Sequence, residues 1–135
     1  MASVRRQLIF DRSANDVWAI IGDPATVHTW FPGMADSTVD GNTRVITTVT
    51  GLSMPEEIIT NDSIQRRFQY RVTSPIFTSH LGTIDVFDLE DGRSLVSYST
   101  DAEPDALALM IGGATGNALH ELRRLLQDGP APPLP

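Results

Sequence analysis

The chain has 135 residues, a formal net charge of −7 and no cysteine. That length suits one domain with a real core, and the missing thiol excludes disulfide frameworks, thiolate zinc sites and a cysteine nucleophile. Arginines cluster only at Arg5-Arg6, Arg66-Arg67 and Arg123-Arg124, so the acidic balance argues against nucleic acid or an anionic membrane as partner, since both select dense Lys and Arg.

In chain order, VRRQLIFD reads as a first strand with Val4, Leu8 and Phe10 on one parity. Ser13 then caps a helix whose acid at Asp16 completes a capping-box variant. Val17, Ile20 and Ile21 form its buried stripe, with Trp18 at the margin, and Gly22 ends it. Asp23-Pro24 starts a second short helix, because proline suits the first helical position. Phe31-Pro32 stops that helix, since the residue before a proline is pushed out of helical dihedrals. The stretch VWAIIGDPATVHTWFPGM, residues 17–34, is therefore expected to fold as two short helices meeting at an angle.

Six strands are expected next. A hairpin joins Ser37–Asp40 to Thr43–Thr50 through Asp-Gly-Asn turn chemistry, and Glu56–Thr60 follows. RRFQYRV, residues 66–72, alternates cleanly, with Phe68, Tyr70 and Val72 on one face and Arg67, Gln69 and Arg71 on the other. After the Ser74-Pro75 interruption, His80–Leu89 pairs through Glu90-Asp91-Gly92 with Ser94–Thr100. Residues 105–127 form a long helix. One domain over 1–128 is expected, with 129–135 a proline-rich flexible tail. No window reaches the roughly 20 apolar residues of a membrane span, and no secretory signal follows the basic pair at the N-terminus, so a cytoplasmic location is expected.

Consecutive hairpins imply an antiparallel sheet, and a curved sheet with one apolar face needs the long helix as its cover. The class is α+β. On that helix Leu107, Ile111, Ala114, Ala118, Leu122 and Leu125 recur at helical spacing and are expected to face the sheet. Gly112, Gly113 and Gly116 interrupt the same turns, at roughly 1 kcal/mol each against alanine. Two explanations stand and are compatible: a kink or a break into two helices near Gly112-Gly113, or slim side chains that leave space between helix and sheet; a loosened helix over such a hollow would also serve as a gate.

Ser13-Ala-Asn-Asp-Val-Trp-Ala-Ile-Ile-Gly-Asp23 followed by Trp30-Phe-Pro-Gly33 resembles the entry signature of the START/pollen-allergen-like (SRPBCC) superfamily. The likeness is nearest to its polyketide cyclase/dehydrase and lipid-transport branch and extends through element order over residues 3–127. It implies a helix-grip fold: a curved seven-stranded antiparallel sheet, two short helices forming a V, and a long C-terminal helix enclosing an apolar cavity. Members of the superfamily carry ligands, catalyse cyclisation or dehydration, or regulate a partner protein.

Parity and position nominate the cavity wall. Phe68, Tyr70 and Val72 lead, with Val45, Thr47 and Val49 on the earlier strand, and Ile84, Val86, Val96 and Tyr98 on the later ones. Met54, Phe77 and Met110 lie at breaks where a mouth would form, and Trp30 suits either the core or a pocket rim. His80 shares the parity of Ile84 and Val86 and is expected inward, whereas His28 and His120 suit surface or capping roles. No His-Glu-x-x-His spacing, nucleophile elbow or phosphate loop occurs, so no metal and no cofactor is expected. Asp85 and Glu57 lie within strand patterns without an evident partner. A small hydrophobic or amphipathic ligand, lipid or polyketide-like, is the expected partner, with Tyr70, Tyr98 and His80 orienting it. Cyclase, aromatase or dehydratase activity and a regulatory protein-interaction module are the rivals, and homodimerisation is left open.

Overall fold

The computed structural model describes residues 1–127; the tail expected at 129–135 lies outside the described residues. Strand β1 (Ala2–Phe10) leads into helix α1 (Ala14–Ile21), then a 3-10 turn (Pro24–Thr26) continuing as α2 (Val27–Trp30). Six strands follow: β2 (Met34–Asp40), β3 (Thr43–Thr48), β4 (Ser53–Asp62), β5 (Arg67–Val72), β6 (Ser79–Asp88) and β7 (Ser94–Glu103). Helix α3 (Asp105–Gln127) is the last of the described elements. No described helix is long and apolar enough to cross a membrane.

The sheet is open, antiparallel and seven-stranded, in the order β1-β7-β6-β5-β4-β3-β2. Register shifts between Met34 and Asp36 and between Ile58 and Thr60 act as bulges that sharpen its curvature. The expected caps form: Ser13 Oγ accepts from the Asp16 amide at 3.1 Å, and Asp23 Oδ1 from that of Ala25 at 3.2 Å. Val17 and Ile21 of α1, Val27 and Trp30 of α2, and Leu119 and Leu122 of α3 meet the concave face in one apolar core.

Helix α3 runs unbroken through its glycines. Its buried residues are Ala108, Gly112, Thr115, Ala118, Leu119 and Leu122, so in the first half the buried stripe lies one position beyond the expected Leu107, Ile111 and Ala114. The reason is close packing on β1. A Cβ at Gly112 would stand 2.4 Å from Val4 Cγ1, and Arg6 Nε donates to the Gly112 carbonyl at 3.0 Å. The helix thus leans on the β1 edge, and Leu107, Ile111 and Ala114 border open space beside it.

Candidate functional site

That space is a cavity of about 250 Å³ between the start of α3 and the concave sheet. Phe31 to Met34, where α2 turns into β2, form one rim; Ile76 and Phe77, between β5 and β6, form another. Ile46 and Thr48 of β3, Met54 and Glu56 of β4, Tyr70 and Val72 of β5 and His80 of β6 make the wall. Leu107, Met110, Ile111 and Ala114 make the lid.

Of the residues nominated from sequence, Met54, Tyr70, Val72, Phe77, His80 and Met110 come together here. Phe68, Ile84, Val86 and Tyr98 are buried on the same face but belong to the solid core, part of which is covered by α1 packing on β6. Trp30 is also core, set edge-on to Tyr98 with ring centroids 6.4 Å apart. Val49 is a correction: it is 70% exposed in the turn after β3. The inward parity of β3 is Arg44, Ile46 and Thr48, not Val45, Thr47 and Val49. Reading apolar residues as inward fails there because a charged side chain takes the buried side.

Arg44 can be buried because Glu56 stands directly opposite it on β4. The two are 3% and 4% exposed, and Arg44 Nε donates to Glu56 Oε1 at 2.7 Å. Arg44 Nη1 reaches the Pro24 carbonyl at 3.3 Å, and its guanidinium lies 5.1 Å from the ring centres of both Phe68 and Tyr70, a cation–π arrangement. Burial pushes the Glu56 carboxyl up, opposed by the guanidinium beside it. A neutral Glu56 would strand a buried arginine, whose proton is not lost in proteins, so the pair stands as carboxylate and guanidinium. Only Oε1 of Glu56 has a hydrogen-bond partner among the described residues.

Beside the pair, the hydroxyls of Tyr70 and Tyr98 hydrogen-bond one another. Burial raises both phenols, with the charge of Glu56 adding to the effect on Tyr70; both remain neutral across ordinary pH. Gly82, opposite Tyr70 on β6, makes room for its ring: a Cβ there would come within 2.5 Å of Tyr70 Cε1 and Cζ. That close approach explains a glycine inside a strand.

His80 closes a gap in the sheet. The β5–β6 ladder stops at Tyr70 and Gly82, and beyond it the Val72 amide donates to His80 Nδ1 at 3.0 Å. Burial, then the positive charge of Arg71, pushes the imidazole down to about 4. His80 is therefore neutral at pH 7, with its proton on Nε2 because Nδ1 accepts. Of these groups Glu56, Tyr70 and His80 border the cavity; the charge of Glu56 is balanced by its partner Arg44, which does not itself border the cavity, and the phenol and imidazole are neutral. The other acids are spoken for elsewhere: Asp85 pairs with Arg67 at 2.9 Å, and Glu57 is exposed 3.9 Å from Arg71.

Sequence reading passed over Arg44, Glu56, Gly82 and the Phe31–Met34 rim. The available signal was the opposed Arg and Glu on the two strands that flank one short turn.

A family model described as polyketide cyclase/dehydrase and lipid transport matches residues 1–127. Among solved structures, XoxI from Bacillus cereus is similar at TM-score 0.88 and 25% identity, over 95% of this chain and 97% of that one. Norcoclaurine synthase from Thalictrum flavum, in complex with dopamine and hydroxybenzaldehyde, is similar at TM-score 0.74 and 16% identity, over 96% of this chain and 88% of that one. The di-domain ARO/CYC BexL from the BE-7585A biosynthetic pathway is similar at TM-score 0.72 and 17% identity, over 93% of this chain but 45% of that one. At such identities the last two likenesses are of fold alone. No curated protein matches the chain in sequence.

Proposed function

Since the chain belongs to the polyketide cyclase/dehydrase and lipid-transport family, we propose that it binds a small hydrophobic or amphipathic ligand in the cavity under α3. The observation that carries this reading is a cavity of about 250 Å³ lined mainly by apolar side chains, into which Thr48, Glu56, Tyr70 and His80 bring the polar ones. Efficient acid–base catalysis wants groups that titrate near the working pH. Here burial raises Tyr70 and lowers His80, moving both away from neutrality. Burial of apolar ligand surface would supply most of the affinity, at roughly 25 cal/mol per Å² before the costs of association.

The test is native mass spectrometry of protein purified from its own host, with solvent extraction of whatever is bound. A discrete co-purifying apolar compound is the expected result. An apo mass, together with no thermal stabilisation by a panel of apolar compounds, would overturn the reading.

Cofactor-free cyclisation or dehydration is the second reading, favoured by the placement of Glu56, Tyr70 and His80 on one cavity wall. It predicts aldol ring closure of a poly-β-ketone, in which an α-carbon adds to a second carbonyl, followed by loss of the new hydroxyl and an α-proton as water, detected as a mass change that Tyr70→Phe and Glu56→Gln each abolish. No turnover of such ketones would exclude it, and turnover surviving both substitutions would exclude these residues from the chemistry.

A further inference from the structure

Resting on the reading that the cavity holds a ligand, we propose that Arg44 and Glu56 determine its chemical class: an uncharged compound carrying a hydroxyl that donates to Glu56, with carboxylates rejected.

Arg44 and Glu56 cancel one another at 2.7 Å, and among the described residues Glu56 is the one ionised side chain that lines the cavity. An anionic ligand group placed against this wall would find no counter-ion, and burial of an unpaired ion is strongly unfavourable. A carboxylate would additionally face the carboxylate of Glu56.

Neutral donors meet a different situation. Glu56 Oε1 is held by Arg44, while Oε2 has no hydrogen-bond partner among the described residues and its residue borders the cavity. An ionised oxygen is a strong acceptor. The guanidinium of Arg44 cannot turn towards a ligand acceptor cheaply, because it is tied to Glu56 and to the Pro24 carbonyl and lies against the rings of Phe68 and Tyr70. The wall therefore offers an acceptor and no net charge.

Three probes with a common two-ring body, naphthol, naphthalene and naphthoate, separate these effects by titration calorimetry at pH 7. Naphthol is expected to bind about tenfold tighter than naphthalene, in line with a hydrogen bond to a charged group less its desolvation, and naphthoate weakest. Glu56→Gln leaves Arg44 uncompensated, so the naphthoate-to-naphthol affinity ratio should rise by at least about tenfold. Should that variant not fold, the doubly substituted Arg44→Met/Glu56→Met wall is free of charge; it should bind naphthalene as before and lose the preference for naphthol. Naphthoate binding the unaltered protein as tightly as naphthol, naphthol no tighter than naphthalene, or preferences unmoved by these substitutions would overturn the inference and leave cavity binding intact. Failure of all three probes to bind would instead overturn the cavity reading, and the inference with it.

Discussion

Gly112 and Gly113 are adjacent in one helix, carry the same intrinsic penalty, and should respond oppositely to alanine. Relief of that penalty is worth about 1 kcal/mol at either site. At Gly113 a Cβ meets nothing within 4 Å, so Gly113→Ala should stabilise by about that amount. At Gly112 the Cβ would lie 2.4 Å from Val4 Cγ1 and 3.1 Å from Val4 Cβ. A χ1 rotation of Val4 can move the first atom but not the second, so α3 must back away from β1 and weaken the Arg6 bond to the Gly112 carbonyl. Overpacking of this kind costs about 1–3 kcal/mol. Set against the helix gain, Gly112→Ala should destabilise by about 1 kcal/mol, separating the neighbours by about 2 kcal/mol. Urea unfolding with unchanged m-values measures both. Adding Val4→Ala to Gly112→Ala should recover most of the loss, with a coupling energy above about 0.5 kcal/mol. Equal stabilisation by the two alanines would refute the packing argument and return Gly112 to the role of a helix breaker.

Three further outcomes are expected. Gly82→Ala would drive a Cβ into the Tyr70 ring, breaking the Tyr70–Tyr98 hydrogen bond; calorimetry should find weaker naphthol binding and urea unfolding a loss of about 1–3 kcal/mol. His80 is lowered from 6.5 to about 4 in the fold, so between those values the unfolded chain binds the extra proton. Stability should therefore be fully present above pH 6.5 and fall by up to about 3 kcal/mol as pH drops towards 4, an increment that His80→Gln removes from the urea-derived pH profile. Arg44→Met alone leaves Glu56 buried without its counter-ion and should cost about 3–5 kcal/mol, whereas Arg44→Met with Glu56→Met should be close to neutral; equal losses in the single and double variants would dissolve the pair's coupling.

The architecture was legible because its punctuation is chemical. Ser13, Asp23-Pro24 and Phe31-Pro32 set the helix ends, and Asp-Gly-Asn and Glu-Asp-Gly set the turns. The strands between them alternate well enough to be counted. The site was legible only where alternation is one-sided. On β5, Phe68, Tyr70 and Val72 leave no doubt about the inner face. On β3, Val45 and Ile46 are both apolar, and the only arbiter, Arg44, points the wrong way unless Glu56 is known to oppose it. Strand β4 added to the difficulty, because it begins at Ser53 rather than Glu56, which puts Met54 and Glu56 on one inward parity. The glycines of α3 misled for a related reason: a small residue can mark a void or a contact, and Gly112 marks the contact with Val4 while the void lies over Ile111 and Ala114.

A buried ion pair is a poor device for stability, since apolar side chains of similar size commonly do as well or better. What Arg44 and Glu56 add, on the proposal made above, is a carboxylate oxygen that borders the apolar cavity with its charge already balanced. The tyrosine pair and the neutral His80 are consistent with the same economy: each is polar, each is held by protein partners, and none is charged. The rings of Phe68 and Tyr70 against the guanidinium, and the glycine that makes room for the Tyr70 ring, hold the pair in place. Specificity in such a cavity comes less from what the wall attracts than from the charges it has already cancelled.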